Sequence, residues 1–467
     1  MNLATAFGQQ TFVFNYSNPD NERPTDILET ENGDLFLSAV SCKQETGFSD
    51  CNGLILKLNA NGGLIDSLEI DIPNKSFYIR DVISLAEDTI LISGMSRNID
   101  RTNCCFELIT VNQQLELIEH KTYCFPPDYE YLCVHTRKGN EKIVITGCII
   151  LPVNLIRVIA FKLSPQLDSL KCKILEEYPG VGTDIRELSN GNYWVFVNFA
   201  MDYLELDSNF DIISSSPLPL TVAAPYGIKW NTDTSFYLAG QLSTDSGFDI
   251  GSLRQYSINN INDYLFKSWG TKDTVDFPAA WGALDFTNMD SVFIGGTTNF
   301  YLNYLTPTPS WYFLIQTDSM LNKRWEKFIG GKAHYTTEKL KVARDGSCFL
   351  ASAKYDYMLG ADHTDLELIK VNHLGQFVHL PENPSIEIRE AIVYPNPGTD
   401  QMNIRLAVQH NHAKFQLYDN QGRLILNKTL TKKVTKINAS FLQSGTFVFR
   451  IYNEDGLFEE GKWVKIR

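Results

Sequence analysis

Carboxylates are the groups with the clearest capacity for chemistry in this chain, because 55 of its 467 residues are Asp or Glu. Asp81, Asp184, Glu187 and Asp285 lie in short apolar segments that each precede a turn, and such segments recur along the chain. Two carboxylates that face one sugar can hydrolyse a glycosidic bond. The four residues are therefore weak catalytic candidates. The sequence favours the alternative, in which they are polar residues that line the water-filled central channel of the repeat fold described below.

Other catalytic signatures are absent from the sequence. It has no G-x-S-x-G, H-E-x-x-H, G-x-x-x-x-G-K-[ST] or EF-hand pattern, and its 8 His are too sparse to suggest a cluster. Two acidic loops, 17–26 and 360–365, offer oxygen ligands that would suit Ca²⁺, although solvated loops are the simpler interpretation. No other metal or cofactor is expected. Whether the chain is an enzyme stays open, and a non-enzymatic function is favoured.

Aromatic side chains in loops are a second source of binding chemistry. Two long loops, 297–311 and 353–365, carry several rings beside acids and amides. Exposed rings of this kind stack on sugars or bind a protein partner. The sequence therefore predicts a ligand-binding surface, with packing of the rings onto the scaffold as the alternative. The residues of this surface are Phe300, Tyr301, Tyr304, Trp311, Tyr355 and Tyr357.

The composition is that of an acidic globular protein. The net charge is -14 and the pI about 5.1, so the basic face that nucleic-acid binding needs is not expected. No run of about 18 apolar residues occurs, which argues against a membrane-spanning helix. Aromatic residues make up 12% of the chain, and they favour strands over helices.

A repeat occupies the first 385 residues. Each copy has one or two turn residues, then an alternating apolar run, and further short strands follow with polar turns between them. The leading runs are 32–40, 87–94, 140–147, 190–197, 233–240, 289–296 and 345–352. Four strands per copy of about 50 residues are typical of propeller blades. The sequence predicts an all-β fold with a seven-bladed β-propeller over 1–385, closed by strand 10–16. A disordered N-terminus is the alternative for that strand.

A change in charge and a cluster of prolines mark a second domain. From residue 390 onward the chain has 11 Lys and Arg against 7 Asp and Glu, whereas the preceding part is strongly acidic. Prolines crowd the region 381–397, as in a linker, which we place at 386–390. Short alternating runs separated by turns follow over 391–467. This pattern predicts a small C-terminal antiparallel β-sandwich.

Several motifs follow one another in a fixed order within 391–467. They are Tyr394-Pro395-Asn396-Pro397, the turns at Gly422 and Gly445, and the closing segment from Lys462 to Lys465. In this order they resemble the type A C-terminal sorting domain of the type IX secretion system of Bacteroidetes. Phe447 replaces the Tyr that is more usual in that family. The propeller is similar, more loosely, to the repeat passengers that are often fused to this domain.

The resemblance implies an export route. In this family the domain is recognised by the outer-membrane translocon and then usually removed, and the passenger is released or attached to surface lipopolysaccharide. The implied location is outside the cell or on the outer membrane, reached through the periplasm, with the translocon and sorting machinery as partners. Such passengers begin with a secretory signal peptide. The opening MNLATAFGQQ has no basic or long apolar region, so we expect the signal to be incomplete in this sequence.

Cysteine usage fits that route, because an oxidising compartment permits disulfides. All nine cysteines precede residue 349, and Cys348 is expected to be a buried free thiol. No C-x2-C pair occurs, which argues against zinc. The disulfide candidates are the pairs Cys42–Cys51, Cys124–Cys133 and Cys148–Cys172.

Three functions are compatible with these features. The favoured one is an exported non-enzymatic binding protein that uses the propeller as a scaffold for a glycan or protein ligand. The first alternative is a secreted polysaccharide hydrolase or lyase that uses carboxylates at the channel mouth. The second alternative is a structural protein of the cell envelope.

Overall fold

The computed structural model describes most of the chain, namely residues 9–44, 49–127, 129–139, 141–151, 155–198, 202–218, 224–244, 247–271, 274–300, 308–357, 363–378, 388–408, 412–453 and 456–466. These residues form strands, turns and loops, with no α-helix among them. None of them therefore belongs to a helix long and apolar enough to cross a membrane.

Seven antiparallel sheets, the blades, follow one another along the first part of the described chain, and blades 1 to 5 each have four strands in chain order from the inside to the outside. Strand β1 (Phe12–Tyr16) comes before the first sheet. Blades 1 to 3 comprise β2 (Asn21–Glu29), β3 (Leu35–Cys42), β4 (Cys51–Leu58), β5 (Leu64–Ile70), β6 (Ser76–Ala86), β7 (Thr89–Arg97), β8 (Cys105–Asn112), β9 (Leu117–Cys124), β10 (Glu130–Lys138), β11 (Ile143–Leu151), β12 (Leu155–Leu163) and β13 (Ser169–Pro179). Blades 4 and 5 comprise β14 (Val181–Glu187), β15 (Tyr193–Asn198), β16 (Asp202–Leu206), β17 (Ile212–Pro217), β18 (Ala224–Trp230), β19 (Phe236–Thr244), β20 (Gly247–Gln255) and β21 (Tyr264–Trp269).

Blades 6 and 7 depart from this pattern. The inner strand of blade 6 is divided into two short pieces, and the outer strand of blade 7 comes from the other end of the chain. Their strands are β22 (Asp276–Pro278), β23 (Leu284–Asp285), β24 (Val292–Thr298), β25 (Trp311–Thr317), β26 (Lys323–Gly330), β27 (His334–Val342), β28 (Cys348–Tyr355) and β29 (Asp365–Val371). β1 pairs antiparallel with β29, with Phe12 opposite Lys370 and Tyr16 opposite Leu366. The segment 10–16 thus supplies the fourth strand of blade 7, and the ring closes without leaving β29 as an open edge.

The burial of the strands follows from the stacking of blades. Every residue of β3 is buried, whereas the outer strand β5 is mostly exposed. A sheet that is covered on both faces needs apolar side chains on both, so its central strands read as continuous apolar runs. Phe36 and Ile55 of blade 1 pack with Phe77 and Ile92 of blade 2 in one such interface. The leading apolar runs in the sequence are therefore the second strands of the blades.

The C-terminal residues form a β-sandwich against blade 6. Two residues, β30 (Ile388–Arg389), extend the outer edge of blade 6 by pairing with β26. Two sheets follow, with strand orders β31-β32-β35 and β34-β33-β36-β37, and Phe415, Phe449 and Trp463 lie in the core between them. The strands are β31 (Ala391–Tyr394), β32 (Gln401–Leu406), β33 (Ala413–Tyr418), β34 (Leu424–Leu430), β35 (Val434–Asn438), β36 (Gly445–Asn453) and β37 (Gly456–Lys465). The predicted fold class, a seven-bladed propeller followed by a small sandwich, is confirmed.

Among the cysteines that the structure describes, two disulfides join directly opposed residues of neighbouring strands. Cys42 faces Cys51 across β3 and β4, which confirms the first predicted pair. The second bond joins Cys105 to Cys124 across β8 and β9, so the predicted Cys124–Cys133 pair is wrong. Cys124 ends the outermost strand of blade 2, while residue 133 is on the innermost strand of blade 3, so the two positions are at opposite edges of their blades.

The predicted Cys148–Cys172 pair is also wrong, because the two residues are on strands that are not neighbours. Cys148 is on β11 and Cys172 on β13, and β12 lies between these strands. Two strand spacings are about 9.6 Å, which is beyond the reach of a disulfide. Cys348 is a buried free thiol, as the sequence predicted.

Candidate functional site

The inner strands of the blades surround an axial cavity of about 1030 Å³, which is lined by residues of all seven blades. Three of the predicted catalytic candidates, Asp184, Glu187 and Asp285, line it. The fourth, Asp81, contacts the lining residue Arg137. The pattern of the sequence therefore located the channel, and the contacts of each carboxylate decide what it can do there.

A bulge places the carboxylates of blades 1, 2 and 4. The pairing of the first two strands in each blade skips one residue immediately before Asp26, Asp81 and Asp184. A bulge turns the following side chain away from the regular alternation of the strand. This local irregularity allows each of these carboxylates to contact a neighbouring blade.

Backbone N–H groups of the next blade donate hydrogen bonds to several of these carboxylates. Val82 N–H donates to Asp26 Oδ2 at 3.1 Å, and Thr136 N–H donates to Asp81 Oδ2 at 2.8 Å. A carboxylate that accepts a buried N–H satisfies a group that would otherwise be costly to bury. Asp26 and Asp81 therefore link blade 1 to blade 2 and blade 2 to blade 3.

Asp285 makes the same kind of link between blades 6 and 7. Val342 N–H donates to Asp285 Oδ2 at 3.0 Å. Lys229 Nζ of blade 5 lies 2.7 Å from Oδ1, and Lys341 Nζ of blade 7 lies 3.8 Å from Oδ2. Burial opposes ionisation of Asp285, but Lys341 and Lys229 outweigh it and lower its pKa. One carboxylate thus faces two ammonium groups.

Arg137 of blade 3 bridges the carboxylates on either side of it. Its Nε lies 2.8 Å from Asp184 Oδ1 in blade 4, and its Nη1 lies 3.4 Å from Asp81 Oδ1 in blade 2. Burial raises the pKa of Asp81 to about 6 despite Arg137, and burial also raises the pKa of Asp184. Asp26 differs, because Lys339 at 2.8 Å, with Lys341, overcomes the effect of burial and lowers its pKa.

The remaining candidate, Glu187, lies at the end of β14. Its carboxylate pairs with Lys142 Nζ of blade 3 at 2.6 Å, and Lys142 also donates to the Tyr193 hydroxyl at 3.1 Å. This contact is another link between neighbouring blades. The four candidates therefore share a structural role in joining neighbouring blades.

The charged lining of the cavity has more cations than anions among the described residues. His135 adds no charge near neutral pH, because burial and Arg137 hold its pKa well below the usual value. The cationic residues are Arg137, Lys138, Arg186, Lys229, Lys339, Lys341 and Arg344, and the anionic residues are Asp26, Glu29, Asp184, Glu187 and Asp285. The chain as a whole has a net charge of -14, so the cavity differs in sign from the average of the molecule.

The predicted aromatic binding surface is corrected in part. Phe300 and Trp311 are buried, and the Phe300 ring stacks on Phe277 at 4.9 Å, so the loops use these rings for packing. The rings of Tyr355 and Tyr357 are half-buried neighbours at 6.1 Å.

Tyr301 and Tyr304 lie outside the described residues, so a surface that includes them stays a prediction.

The two acidic loops proposed for Ca²⁺ meet between blades 1 and 7. Glu22 N–H donates to the Thr364 carbonyl at 2.9 Å, and Thr364 N–H donates to Asn21 Oδ1 at 3.1 Å. Burial, with contributions from Asp365 and Asp20, raises the pKa of Glu22 to about 8. In the described part of the chain, no three His, Cys, Asp or Glu side chains come together as metal ligands. Residues 360–362 of the second loop are outside that part.

The sorting motifs pair with each other inside the sandwich. Trp463 Nε1–H donates to the Pro395 carbonyl at 2.8 Å. The Asn396 amide donates to the Lys462 carbonyl at 2.7 Å and accepts from Val464 N–H at 2.9 Å. The first motif thus holds the closing strand β37 in place.

Other motif residues support the same arrangement. Lys465 Nζ donates to the Thr399 carbonyl and to Asp400 Oδ1, both at 2.8 Å. Gly422 lies in a turn with a φ of 76°, which favours glycine, and Gly445 begins β36 at an exposed position. Tyr394 and Pro397 flank the segment that contacts β37, and the Tyr394 ring is buried.

Sequence reasoning missed one buried charge, Arg405 of β32, whose side chain is fully buried against blade 6. The sequence signal was a single arginine within an apolar strand, Met402 to Ala407. The other described arginines of the domain, Arg423 and Arg450, are exposed.

Comparison with known proteins identifies the C-terminal part. Residues 392–465 match the family described as the secretion system C-terminal sorting domain. No curated protein matches the chain. A virginiamycin B lyase structure from Staphylococcus aureus is 13% identical with a TM-score of 0.46 and covers 78% of this chain and 99% of its own. PorZ, a surface component of the type IX secretion system of Porphyromonas gingivalis, is 10% identical with a TM-score of 0.29, covering 98% and 100%. A protein of unknown function from Bacteroides caccae is 11% identical with a TM-score of 0.38, covering 66% and 93%.

The family match and the paired motifs describe the same segment of chain. Residues 392–465 form a type IX secretion system C-terminal sorting domain, which implies that the chain is secreted.

Proposed function

We propose that the exported chain is a non-enzymatic binding protein whose ligand, a small molecule bearing carboxylate or similar anionic groups, binds in the axial cavity. The main support is the sharing of Asp285 by Lys229 and Lys341, at 2.7 and 3.8 Å. The side chains of the two lysines are 37% and 38% exposed, so their ammonium groups are accessible from the cavity. Together with Lys339, the two lysines share only the carboxylates of Asp285 and Asp26 among the described residues, so one positive charge is available to a ligand.

The surroundings of the cavity strengthen this attraction. Protein walls of low dielectric constant concentrate the field of the charges they enclose, so a cationic cleft attracts anions more strongly than an open surface does. Binding is favoured over catalysis because Asp26, Asp81 and Asp285 are each engaged by a backbone N–H of the next blade. A general acid or base must be able to reach its substrate.

Calorimetric titration of the purified full chain tests the proposal. The probes are oligogalacturonate, which carries a carboxylate on each sugar, and a cello-oligosaccharide of the same length, which carries none. We expect the acidic oligomer alone to bind, and its affinity to fall as salt is added because the Debye length shrinks. Equal binding of both oligomers, or binding of neither, would contradict the proposal.

Variants locate the site. Lys341→Gln should weaken binding by about tenfold, since a lost contact of about 1.4 kcal/mol between charges corresponds to that factor. Lys171→Gln is the matched control, because it removes the same charge from an exposed position on the outer strand β13. An equal effect of the two substitutions would place the ligand elsewhere.

One observation favours the alternative of a polysaccharide-cleaving enzyme. The pKa of Asp26 is lowered while that of neighbouring Asp81 is raised to about 6, and a pair of carboxylates with divergent pKa values can act as base and acid. A turnover assay on a panel of glycans, with Asp81→Asn and Asp184→Asn as variants, separates the two functions. Turnover that either substitution abolishes without unfolding the protein would support the enzyme.

A further inference from the structure

The strand β31 of the sorting domain is buried on both of its faces. Ala391 and Val393 of β31 point into the core of the sandwich. Ile392 and Tyr394, which alternate with them, pack in an apolar cluster formed largely by blades 5 and 6. Side chains on an exposed sandwich sheet would alternate between apolar and polar, so the apolar run from Ala391 to Tyr394 reflects a second partner.

The next strand repeats this alternation with a charge in it. Met402, Ile404 and Leu406 of β32 point into the sandwich core, whereas Arg405 points the other way, against blade 6. Its side chain and that of Asp276 are both fully buried. Arginine is rarely buried to this extent unless its charge and its donors are matched.

Blade 6 supplies carboxylates that balance the charge and acceptors for Nη1, whereas Nε and Nη2 have no hydrogen-bond partner among the described residues. Arg405 Nη1 lies 2.8 Å from Asp276 Oδ1 and donates to the Thr274 and Thr298 hydroxyl oxygens at 2.8 and 2.7 Å. Arg405 Nη2 lies 3.6 Å from Glu326 Oε1. All four partners belong to the propeller, so this guanidinium joins the two domains.

Aromatic rings complete the pocket for the guanidinium. Its central carbon lies 4.8 Å from the centre of the Phe313 ring and 4.9 Å from that of Phe328. Both phenylalanines are fully buried. A cation over the face of an aromatic ring is attracted by the ring quadrupole, and more so away from water.

A second ion pair crosses the same interface. Glu326 Oε2 lies 2.8 Å from Lys433 Nζ of the sorting domain and 2.8 Å from Lys323 Nζ of blade 6. Burial opposes ionisation of Glu326, but Lys433, Arg405 and Lys323 together lower its pKa. Two carboxylates of the propeller therefore depend on cations of the sorting domain.

Separation of the domains would be costly on the propeller side. Asp276 would lose the guanidinium that it faces, and a buried charge without its partner is strongly destabilising. Phe313 and Phe328 would become part of an exposed apolar patch, which soluble monomers rarely present.

We propose that the sorting domain stays bound to blade 6 in the exported protein, held by Arg405 in the pocket of Asp276, Glu326, Phe313 and Phe328, whether or not the connecting chain is cut. The exported product is then a propeller that keeps its address domain as a structural part. This differs from the release that the resemblance implied. It is independent of the proposed ligand, because neither Arg405 nor the residues of its pocket line the axial cavity.

The exported protein itself gives the first test. The product is purified under native conditions from the surface or medium of a host that has the type IX system, and its peptides are mapped by mass spectrometry. We expect peptides from 391–466 and from the propeller in equal amounts. An exported propeller without those peptides would overturn the proposal.

Cleavage of the linker gives the second test, with the role of Arg405 as its object. A specific protease site is inserted between residues 384 and 388 of the full chain, the chain is cut, and the products are separated by size exclusion. The sorting domain should co-elute with the propeller. In Arg405→Met, the co-eluting fraction should fall at least tenfold. Arg423→Met is the matched control, since Arg423 is an exposed arginine of the same domain, 71% exposed.

Two results would contradict the role of Arg405. One is separation of the cut wild-type domains, and the other is co-elution of Arg405→Met at the wild-type level. If Arg405→Met does not fold, Asp276→Asn weakens the same contact from the propeller side while keeping the size of the side chain. Co-elution of Asp276→Asn at the wild-type level would then overturn the proposal.

Discussion

Replacement of Asp285 by alanine should weaken the joint between blades 6 and 7. The substitution removes the acceptor of the Val342 N–H, which donates to Asp285 Oδ2 at 3.0 Å, and it leaves Lys229 and Lys341 without their shared carboxylate. A hydrogen bond to a charged group contributes about 1.5–3 kcal/mol, and an orphaned buried N–H adds to the loss. The lysines add little, because their partly exposed ammonium groups can turn towards the cavity.

We therefore expect Asp285→Ala to lower the free energy of unfolding by about 3 kcal/mol. Asp285→Asn should cost only about 1–2 kcal/mol, since the amide oxygen still accepts the Val342 N–H while the charge is lost. Asp290→Ala is the control in the same blade, because Asp290 is exposed, and it should change stability by less than about 0.5 kcal/mol.

Chemical denaturation followed by tryptophan fluorescence measures these differences, as the chain has 7 Trp. A loss for Asp285→Ala no larger than that for Asp290→Ala would refute the structural role of the channel carboxylates. A loss for Asp285→Asn equal to that for Asp285→Ala would show that the charge, and not the hydrogen-bond acceptor, holds the joint.

Three further predictions concern pH, oxidation and the sorting domain. Burial raises the pKa of Glu367 from 4.5 to about 7, so the folded chain holds a proton that the unfolded chain releases. The stability this gives is complete below pH 4.5 and is lost as the pH rises through 7. Between pH 4.5 and pH 8 the loss is about 3 kcal/mol, and denaturation curves of Glu367→Gln at the two pH values should lack it. Cys105→Ser should lower the free energy of unfolding by about 3 kcal/mol under oxidising conditions, because it removes the disulfide. The control Cys172→Ser, at an exposed free thiol, should change it by less than about 0.5 kcal/mol. Equal melting curves for the two variants would contradict the role of the disulfide. Gly398→Ala should destabilise the sorting domain by about 1–3 kcal/mol because its new methyl group would lie 2.7 Å from the Trp463 ring, and Gly445→Ala, with open space around it, is the control for the same thermal melt.

The architecture was predictable because it depends on a repeated local pattern. A middle strand covered by a blade on each side must be apolar on both faces, and this condition produced the runs 32–40 and 345–352 that marked the blades. The divided inner strand of blade 6 was not predictable, because the segment 280–286 is one short apolar run before a turn, like the corresponding segments of other blades. Trp281 N–H donates to the Glu338 carbonyl of blade 7, so the break depends on a neighbour that is far away in the chain.

The candidate site was predictable in place but not in role. The inner-strand carboxylates were recognised by their position in the repeat. The N–H groups and cations that contact them come from adjacent blades, about 50 residues away in the chain. The identity of the N–H that Asp81 accepts, that of Thr136, depends on how blade 3 packs on blade 2. Burial of Phe300 and Trp311 likewise depends on how their loops fold back, which the ring content of a loop does not indicate.

Pairing between strands explains the remaining differences. Cys105 and Cys124 face each other only because β8 and β9 are in one particular register, and loop spacing in the sequence favoured other partners. Arg405 could be noticed as a lone charge in an apolar strand, but its partner Asp276 is 129 residues away. By contrast, the sorting motifs were recognised directly from their order in the sequence, and the Asn396 side chain contacts the backbone of the closing strand.

The most direct measurement of the central claim is the location of the full-length protein in two otherwise identical strains of a host with the type IX system. One strain has an active translocon and the other lacks it. We predict that the protein is on the cell surface or in the medium of the first strain and is retained in the periplasm of the second. Equal amounts outside the cell in both strains would contradict export through the sorting domain.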